Sequence, residues 1–73
     1  MDRAAIQRLL AAAEHRVDMG ERRLARQRAI IERRRDIGLD SGEAEDLLVE
    51  FEQEQTTDLA NLDRLRERLA AVP

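Results

Sequence analysis

The sequence predicts an all-α fold, an antiparallel two-helix hairpin that is coiled-coil-like, and three observations support it. Two long stretches carry apolar residues at spacings that alternate between three and four, as in helices that bury one side against a partner helix. One short segment between them, residues 36–43, combines helix-stop and helix-start signals. The two stretches carry opposite charge next to this segment, so a chain that folds back there brings unlike charges together.

The connecting segment ends the first helix at Gly38. Glycine adopts the left-handed conformation just after a helix without a Cβ clash. Leu39 follows it and suits the apolar contact with the last helical turn that accompanies this type of cap. Three arginines, residues 33–35, precede the glycine, where the helix dipole favours positive charge. We therefore expect a sharp turn at residues 38–41.

The same segment begins the second helix. Asp40 or Ser41 can accept hydrogen bonds from the free N–H groups of the first turn. With Asp40 as the N-cap, Glu43 falls at the third helical position and forms a variant of the capping box. Such a short connection joins antiparallel neighbours.

The first helix is predicted over about residues 2–37, with Asp2 as its cap. Its apolar seam is weakened in the middle by Gly20, which costs about 1 kcal/mol relative to alanine, and by the polar Gln27. Gly20 permits close helix approach or a kink, or is simply a tolerated small residue. The seam consists of Ile6, Leu10, Ala13, Val17, Gly20, Leu24, Gln27, Ile31 and Arg34.

The second helix is predicted over about residues 41–72 with the same spacing. Gln55 and Asp58 interrupt its seam, so its middle is polar as well. The seam consists of Ala44, Leu48, Phe51, Gln55, Asp58, Leu62, Leu65, Leu69 and Val72.

The register of the two helices follows from a fold-back at residues 39–40, which gives facing residues numbers that sum to roughly 79. Leu24 then meets Gln55, and Gly20 lies near Asp58 and Leu59. The polar positions of both helices fall at one level of the hairpin. They form either a polar layer that fixes the register or a locally loose region.

Two charge blocks lie side by side in this arrangement. Residues 22–35 hold seven arginines and one acid, and residues 40–58 hold eight acids and no base. Exposed pairs contribute only about 0–1 kcal/mol each, so the blocks matter more for orientation than for stability. The predicted cross-helix pairs are Arg28 with Glu50, Glu52 or Glu54; Arg33 to Arg35 with Glu43, Glu45 and Asp46; Arg16 with Asp63; and Glu14 with Arg64 or Arg66.

A two-helix hairpin of 73 residues cannot exclude water from both helices. We therefore predict a homodimer that forms a four-helix bundle, with higher oligomers or another partner protein as alternatives. The candidate interface residues lie beside the seams and are Leu9, Ile30, Ile37, Leu47 and Leu59.

Catalytic and cofactor chemistry finds little support in the composition. The chain has no cysteine, which excludes disulfides and thiolate chemistry. His15 is the only histidine, and the Glu-x-x-His pattern of di-iron bundles is absent because position 12 is alanine. Carboxylate pairs such as Glu50 and Glu54 have no predicted pocket to shift their pKa. The sequence predicts no enzyme, no metal site and no cofactor.

The predicted function is a small, non-catalytic protein–protein interaction or oligomerisation module in the cytoplasm, without membrane contact. The alternative is an arginine-dependent nucleic-acid binder. The net charge of −3 and the neighbouring acidic block argue against it, and a single aromatic residue, Phe51, offers almost no base stacking. The candidate nucleic-acid contacts are Arg22, Arg23, Arg26 and Arg28.

Three segments of this chain match a recognisable pattern. Residues 20–33 read GERRLARQRAIIER, residues 38–52 read GLDSGEAEDLLVEFE, and residues 62–65 read LDRL. They resemble a group of small uncharacterised alphaproteobacterial helical-hairpin proteins with GERxxARQR and GxD[ST]xEAxxLLxxFE segments. The resemblance implies no activity. Those sequences often carry a further histidine before the DRL ending, where this chain has Ala60-Asn61, which weakens a metal site further.

Overall fold

The computed structural model describes residues 2–73 and confirms the all-α hairpin. Helix α1 spans Arg3–Asp36 and helix α2 spans Gly42–Ala71, and the two pack against each other along their lengths. The molecule is a rod 57 Å long and 14 by 13 Å in cross-section. The helices are one residue shorter at each end than the predicted ranges of 2–37 and 41–72.

Both predicted caps of α1 are present. The Asp2 carboxylate accepts the N–H of Ala5 at 2.7 Å, which satisfies one of the free donors of the first turn. At the other end, Leu39 N donates to Arg34 O at 2.8 Å and Gly38 N donates to Arg35 O at 3.2 Å. These two bonds and the φ of 77° at Gly38 form a Schellman motif. The glycine is required there because no other residue adopts this φ cheaply.

The start of α2 differs from the predicted capping box. Ser41, not Asp40, is the N-cap residue, and its side chain makes no cap hydrogen bond. The Asp40 carboxylate instead accepts the N–H of Gly42 at 3.0 Å, and Ser41 Oγ donates to Glu45 Oε1 at 3.3 Å. Because the helix begins at Gly42, Glu43 is the second helical residue and cannot reach back as a capping box requires.

The predicted seams form the contact between the helices. Every seam residue of α1 is buried except Leu10, which is half-buried, and Arg34, which is exposed. In α2 all nine seam residues are buried or half-buried, and Ala13, Val17, Leu62 and Leu65 form a compact apolar cluster in the half of the rod away from the turn. Burial thus repeats every seven residues along both helices, so each helix keeps one side toward the other throughout.

The Gln55 contact lies about one helical turn from its predicted place, whereas the Arg28–Glu52 and Arg35–Glu45 pairs keep the predicted register. Gln55 was predicted opposite Leu24, but its side chain lies on Gly20, and its Nε2 donates to Val17 O at 3.0 Å. A Cβ at position 20 would overlap the Gln55 amide, whose Cδ would lie 2.8 Å from it. The Gln55 amide fits here because Gly20 leaves space for it and Val17 O accepts its hydrogen bond. This contact favours the observed alignment of the two helices at this level.

The polar positions do not form the single layer that the sequence predicted. Gln27 lies one heptad further along α1 than Gly20 and donates its Nε2 to Ala44 O, in the first turn of α2, at 2.9 Å. Both glutamines are buried, and each bonds a backbone carbonyl of the facing helix. The polar contacts are therefore two separate cross-helix hydrogen bonds, one in the middle of the rod and one closer to the turn.

Candidate interaction surface

One side of the rod, which we call flank A, carries an apolar groove near the turn. Ile30 of α1, Leu47 of α2 and Leu39 of the turn line it, together with Gln27, Arg34, Asp40, Glu43 and Ala44. All three large apolar side chains are exposed, Ile30 by 41%, Leu39 by 53% and Leu47 by 39%. Flank A thus exposes three large apolar side chains around one groove that also has charged residues in its lining.

The middle of flank A is charged. Arg23 lies seven residues before Ile30, and Glu54 lies seven residues after Leu47. Arg23 Nη1 and Glu54 Oε2 are 3.1 Å apart, and the Arg23 guanidinium also lies over the Phe51 ring at 4.8 Å from its centroid. Flank A therefore carries a positive residue on α1 and a negative one on α2 at the same level.

The other side, flank B, carries more ion pairs. Arg28 lies 3.8 Å from Glu52, and Arg35 pairs with Glu45. Both pairs match cross-helix contacts that the charge blocks predicted. All four side chains are well exposed, so each pair contributes about 0–1 kcal/mol and leaves the flank solvated.

Two groups of predicted cross-helix neighbours further from the turn form no ion pair. In the described part of the chain, Arg16 does not pair with Asp63, and Glu14 pairs with neither Arg64 nor Arg66. Asp63 lies 4.0 Å from Arg66 on its own helix instead. An exposed pair contributes only about 0–1 kcal/mol, so these side chains do not constrain the register.

The five candidate interface residues are all exposed, but they divide between the two flanks. Leu9 lies three heptads before Ile30, and Ile37 lies one heptad after it, so these residues share flank A with Leu47. Leu59 lies one heptad after Glu52 and so belongs to flank B. The sequence contains the signal for this division. The flank A residues each precede a position of the apolar heptad repeat, whereas Leu59 follows the seam residue Asp58.

The four candidate nucleic-acid arginines do not form one surface. Arg23 points to flank A and Arg28 to flank B, each toward a carboxylate of α2. Arg22 lies on the outer side of α1, 3.4 Å from Asp18. Arg22, Arg23 and Arg26 lie within about 100° of the helix circumference, whereas Arg28 lies on the other flank.

The metal-ligating side chains of residues 2–73 are dispersed. No group of three or more His, Cys, Asp or Glu side chains converges there on a point where a metal ion would fit, and His15 is exposed. Neither described helix is both long and apolar enough to cross a bilayer.

Sequence reasoning missed two features of flank A. Leu39 was expected to contact the last turn of α1, and its place in the groove with Ile30 and Leu47 was not foreseen. The stacking of Arg23 on Phe51 was also missed. Both depend on how the turn and the register place residues of different helices, which heptad spacing within one helix does not report.

The total surface of the single chain is large for its mass. The accessible area is 5426 Å² for 8.4 kDa, whereas a compact monomer of that mass exposes about 4,600 Å². The excess of about 800 Å² follows from the elongated shape of a two-helix rod.

Comparison with known proteins gives no relative: no family model, curated protein or solved structure matches the chain.

Proposed function

We propose that this protein is a non-catalytic protein–protein interaction module that self-associates as a homodimer and completes a four-helix bundle. One observation carries the proposal. The seams of the two helices pack against each other within the hairpin. Large apolar side chains beside the seams, including Ile30 and Leu47, remain exposed. A second hairpin would cover them in the manner of a coiled-coil bundle.

The shape of the molecule supports the same proposal. A rod of two helices leaves both flanks in water. Small domains rarely gain more than about 3–5 kcal/mol from one core. Association adds stability by mass action without any change of fold.

Two further parts of the proposal rest on the sequence. The cytoplasm is the proposed compartment, since a small domain without cysteine lacks the disulfides common in secreted domains of this size. Membership of the alphaproteobacterial helical-hairpin group is proposed from the GER and GLDSGEA segments. Nucleic-acid binding is not part of the proposal, because Arg23 and Arg28 pair with Glu54 and Glu52 and the chain has a net charge of −3.

Sedimentation velocity of the full chain over a wide concentration range tests the proposed dimer. We expect a sedimenting species of twice the chain mass that dissociates on dilution. A monomer at every concentration, with full helical circular dichroism, would show that the hairpin is self-sufficient and that the proposal is wrong.

A further inference from the structure

We infer that flank A is the dimer interface and that the two hairpins pack in parallel, with both turns at the same end, around a two-fold axis along the rod. The inference rests on the proposed self-association and adds to it the surface and the orientation. Flank A of a second copy of the chain therefore covers the groove.

Flank A is preferred over flank B because its apolar residues cluster. Ile30, Leu39 and Leu47 line one groove, and Ile37, 58% exposed, lies one heptad beyond Ile30 at the turn. On flank B a groove exposes Val49, and the exposed Leu59 lies one heptad from the Arg28–Glu52 pair and two from Arg35–Glu45. Burying flank B would therefore cover two large apolar side chains and desolvate two ion pairs. Burying flank A would cover more apolar side chains and desolvate one cross-helix ion pair, Arg23–Glu54.

A two-fold axis along the rod places α1 of one copy beside α2 of the other, at the same levels as within one hairpin. Ile30 and Leu47 share a level, since they line one groove. Ile30 of each copy therefore packs against Leu47 of the other copy. The contact is isologous, because the same patch serves both chains.

The charges of flank A also match in the parallel arrangement. Arg23 and Glu54 share a level, 3.1 Å apart within the hairpin. In the dimer each Arg23 also faces Glu54 of the second copy. The arginine-rich block at residues 22–35 then lies beside the acidic block at residues 40–58 of both its own chain and the other, which favours this partner and this direction.

The antiparallel arrangement through the same flank offers an equal number of apolar contacts and a worse set of charges. It sets α1 against α1, with Leu9 of one copy on Ile30 of the other. The same alignment places Arg16 of one copy opposite Arg23 of the other, and like charges in apposition oppose association. Because the two orientations make equal numbers of apolar contacts, the charged contacts favour the parallel dimer over the antiparallel one.

Cysteine crosslinking tests both the flank and the direction, since the native chain has no cysteine. Four single variants would be made at exposed positions: Leu9→Cys, Ile30→Cys, Leu47→Cys and Leu59→Cys. Their native side chains are exposed to nearly the same extent, 39–43%, so Leu59→Cys is a matched control. Each variant would first be checked for native helical content and for the sedimentation of the unmodified chain.

Variants would be mixed in pairs and treated with a short bis-maleimide, so that a mixed product can arise only between chains. We expect the Ile30→Cys and Leu47→Cys mixture to give covalent heterodimer at least tenfold faster than any mixture containing Leu59→Cys. Preferential crosslinking of Leu9→Cys with Ile30→Cys would overturn the parallel direction. Preferential crosslinking of Leu59→Cys with itself would overturn the choice of flank.

The outcomes separate this inference from the proposed function. A dimeric wild-type chain with either contrary crosslink sinks the inference and leaves the dimer standing. A wild-type chain that sediments as a monomer, with no crosslinked pair above the rate of random collision, sinks both.

Discussion

At the residue scale, the pairing of Gly20 with Gln55 sets the alignment of the helices. Gln55 is buried, with only 7% of its surface exposed, and its Nε2 donates a hydrogen bond to Val17 O. Its Oε1 is buried without a conventional donor and lies where a Cβ of Gly20 would be. The α-hydrogen of Gly20 there points at this oxygen, a weak Cα–H···O contact. Only glycine allows the amide to reach the facing backbone.

We expect the effect of Gly20→Ala on the free energy of unfolding to change sign when Gln55 is replaced by alanine. Gly20→Ala alone should destabilise the protein by about 1 kcal/mol, because displacing the amide costs about 1–3 kcal/mol and the better helix propensity returns only about 1 kcal/mol. In a Gln55→Ala background the same change should stabilise by about 1 kcal/mol, since no side chain then occupies the space. Urea unfolding of the four chains at one concentration measures this cycle. Equal effects in both backgrounds would show that the amide does not depend on the glycine.

At the element scale, the turn combines a left-handed glycine with carboxylate bonds to the next helix. Gly38 needs its positive φ of 77°, and a Cβ there would meet nothing within 4 Å. Any effect of a side chain at this position is therefore a backbone effect. Gly42 is helical, and a Cβ there would make only ordinary contacts with Asp40. The two glycines therefore form a matched pair.

We accordingly expect Gly38→Ala to lower the free energy of unfolding by about 1–2 kcal/mol, the usual cost of the left-handed conformation for an L-residue. Gly42→Ala should be neutral or slightly stabilising, since alanine is the better helix former. Thermal unfolding followed by circular dichroism at matched concentrations compares them. A Gly42→Ala chain as unstable as Gly38→Ala would mean that crowding at the turn, and not φ, sets the cost.

Lengthening the turn probes how far it holds the register. Inserting two glycines after Leu39 keeps the Schellman bonds of α1 but removes the fixed offset between the helices. Loop entropy alone costs less than about 1 kcal/mol for such an insertion. We expect helical circular dichroism to persist while unfolding occurs at lower denaturant and association weakens. Unchanged stability and oligomeric state would assign the register to the glutamines alone.

Much of the two elements was predictable from the sequence, because it depends on local rules. The caps at Asp2 and Gly38 and the seven-residue seams involve residues close in the chain. The Gln55 contact was not predictable, because it depends on where the amide finds both space and an acceptor across the hairpin. The groove was only partly predicted, because Leu39 joins it from the turn, outside both heptad repeats.

At the scale of the whole molecule, charge pattern and exposed apolar surface act on the same flank. Arg23 and Glu54 lie between the apolar turn end and the opposite end of flank A, where Leu9 is exposed. Apolar burial supplies the drive to associate, whereas the opposed blocks at residues 22–35 and 40–58 select the direction. These two contributions respond to salt in opposite ways, so salt dependence separates them.

Raising sodium chloride from 0.05 to 0.5 M should therefore weaken the dimer by roughly tenfold in Kd, because the Debye length falls from about 14 to about 4 Å and screens charges across the interface. A Glu54→Gln variant should show a shallower salt dependence, since each interface loses two facing carboxylates. Sedimentation equilibrium of both chains measures it. Val49→Gln, which changes an exposed residue on flank B, is the control and should keep the wild-type slope. Association that strengthens with salt in the wild-type chain would mean that apolar burial alone drives the dimer, and the charge argument for the parallel direction would fail with it.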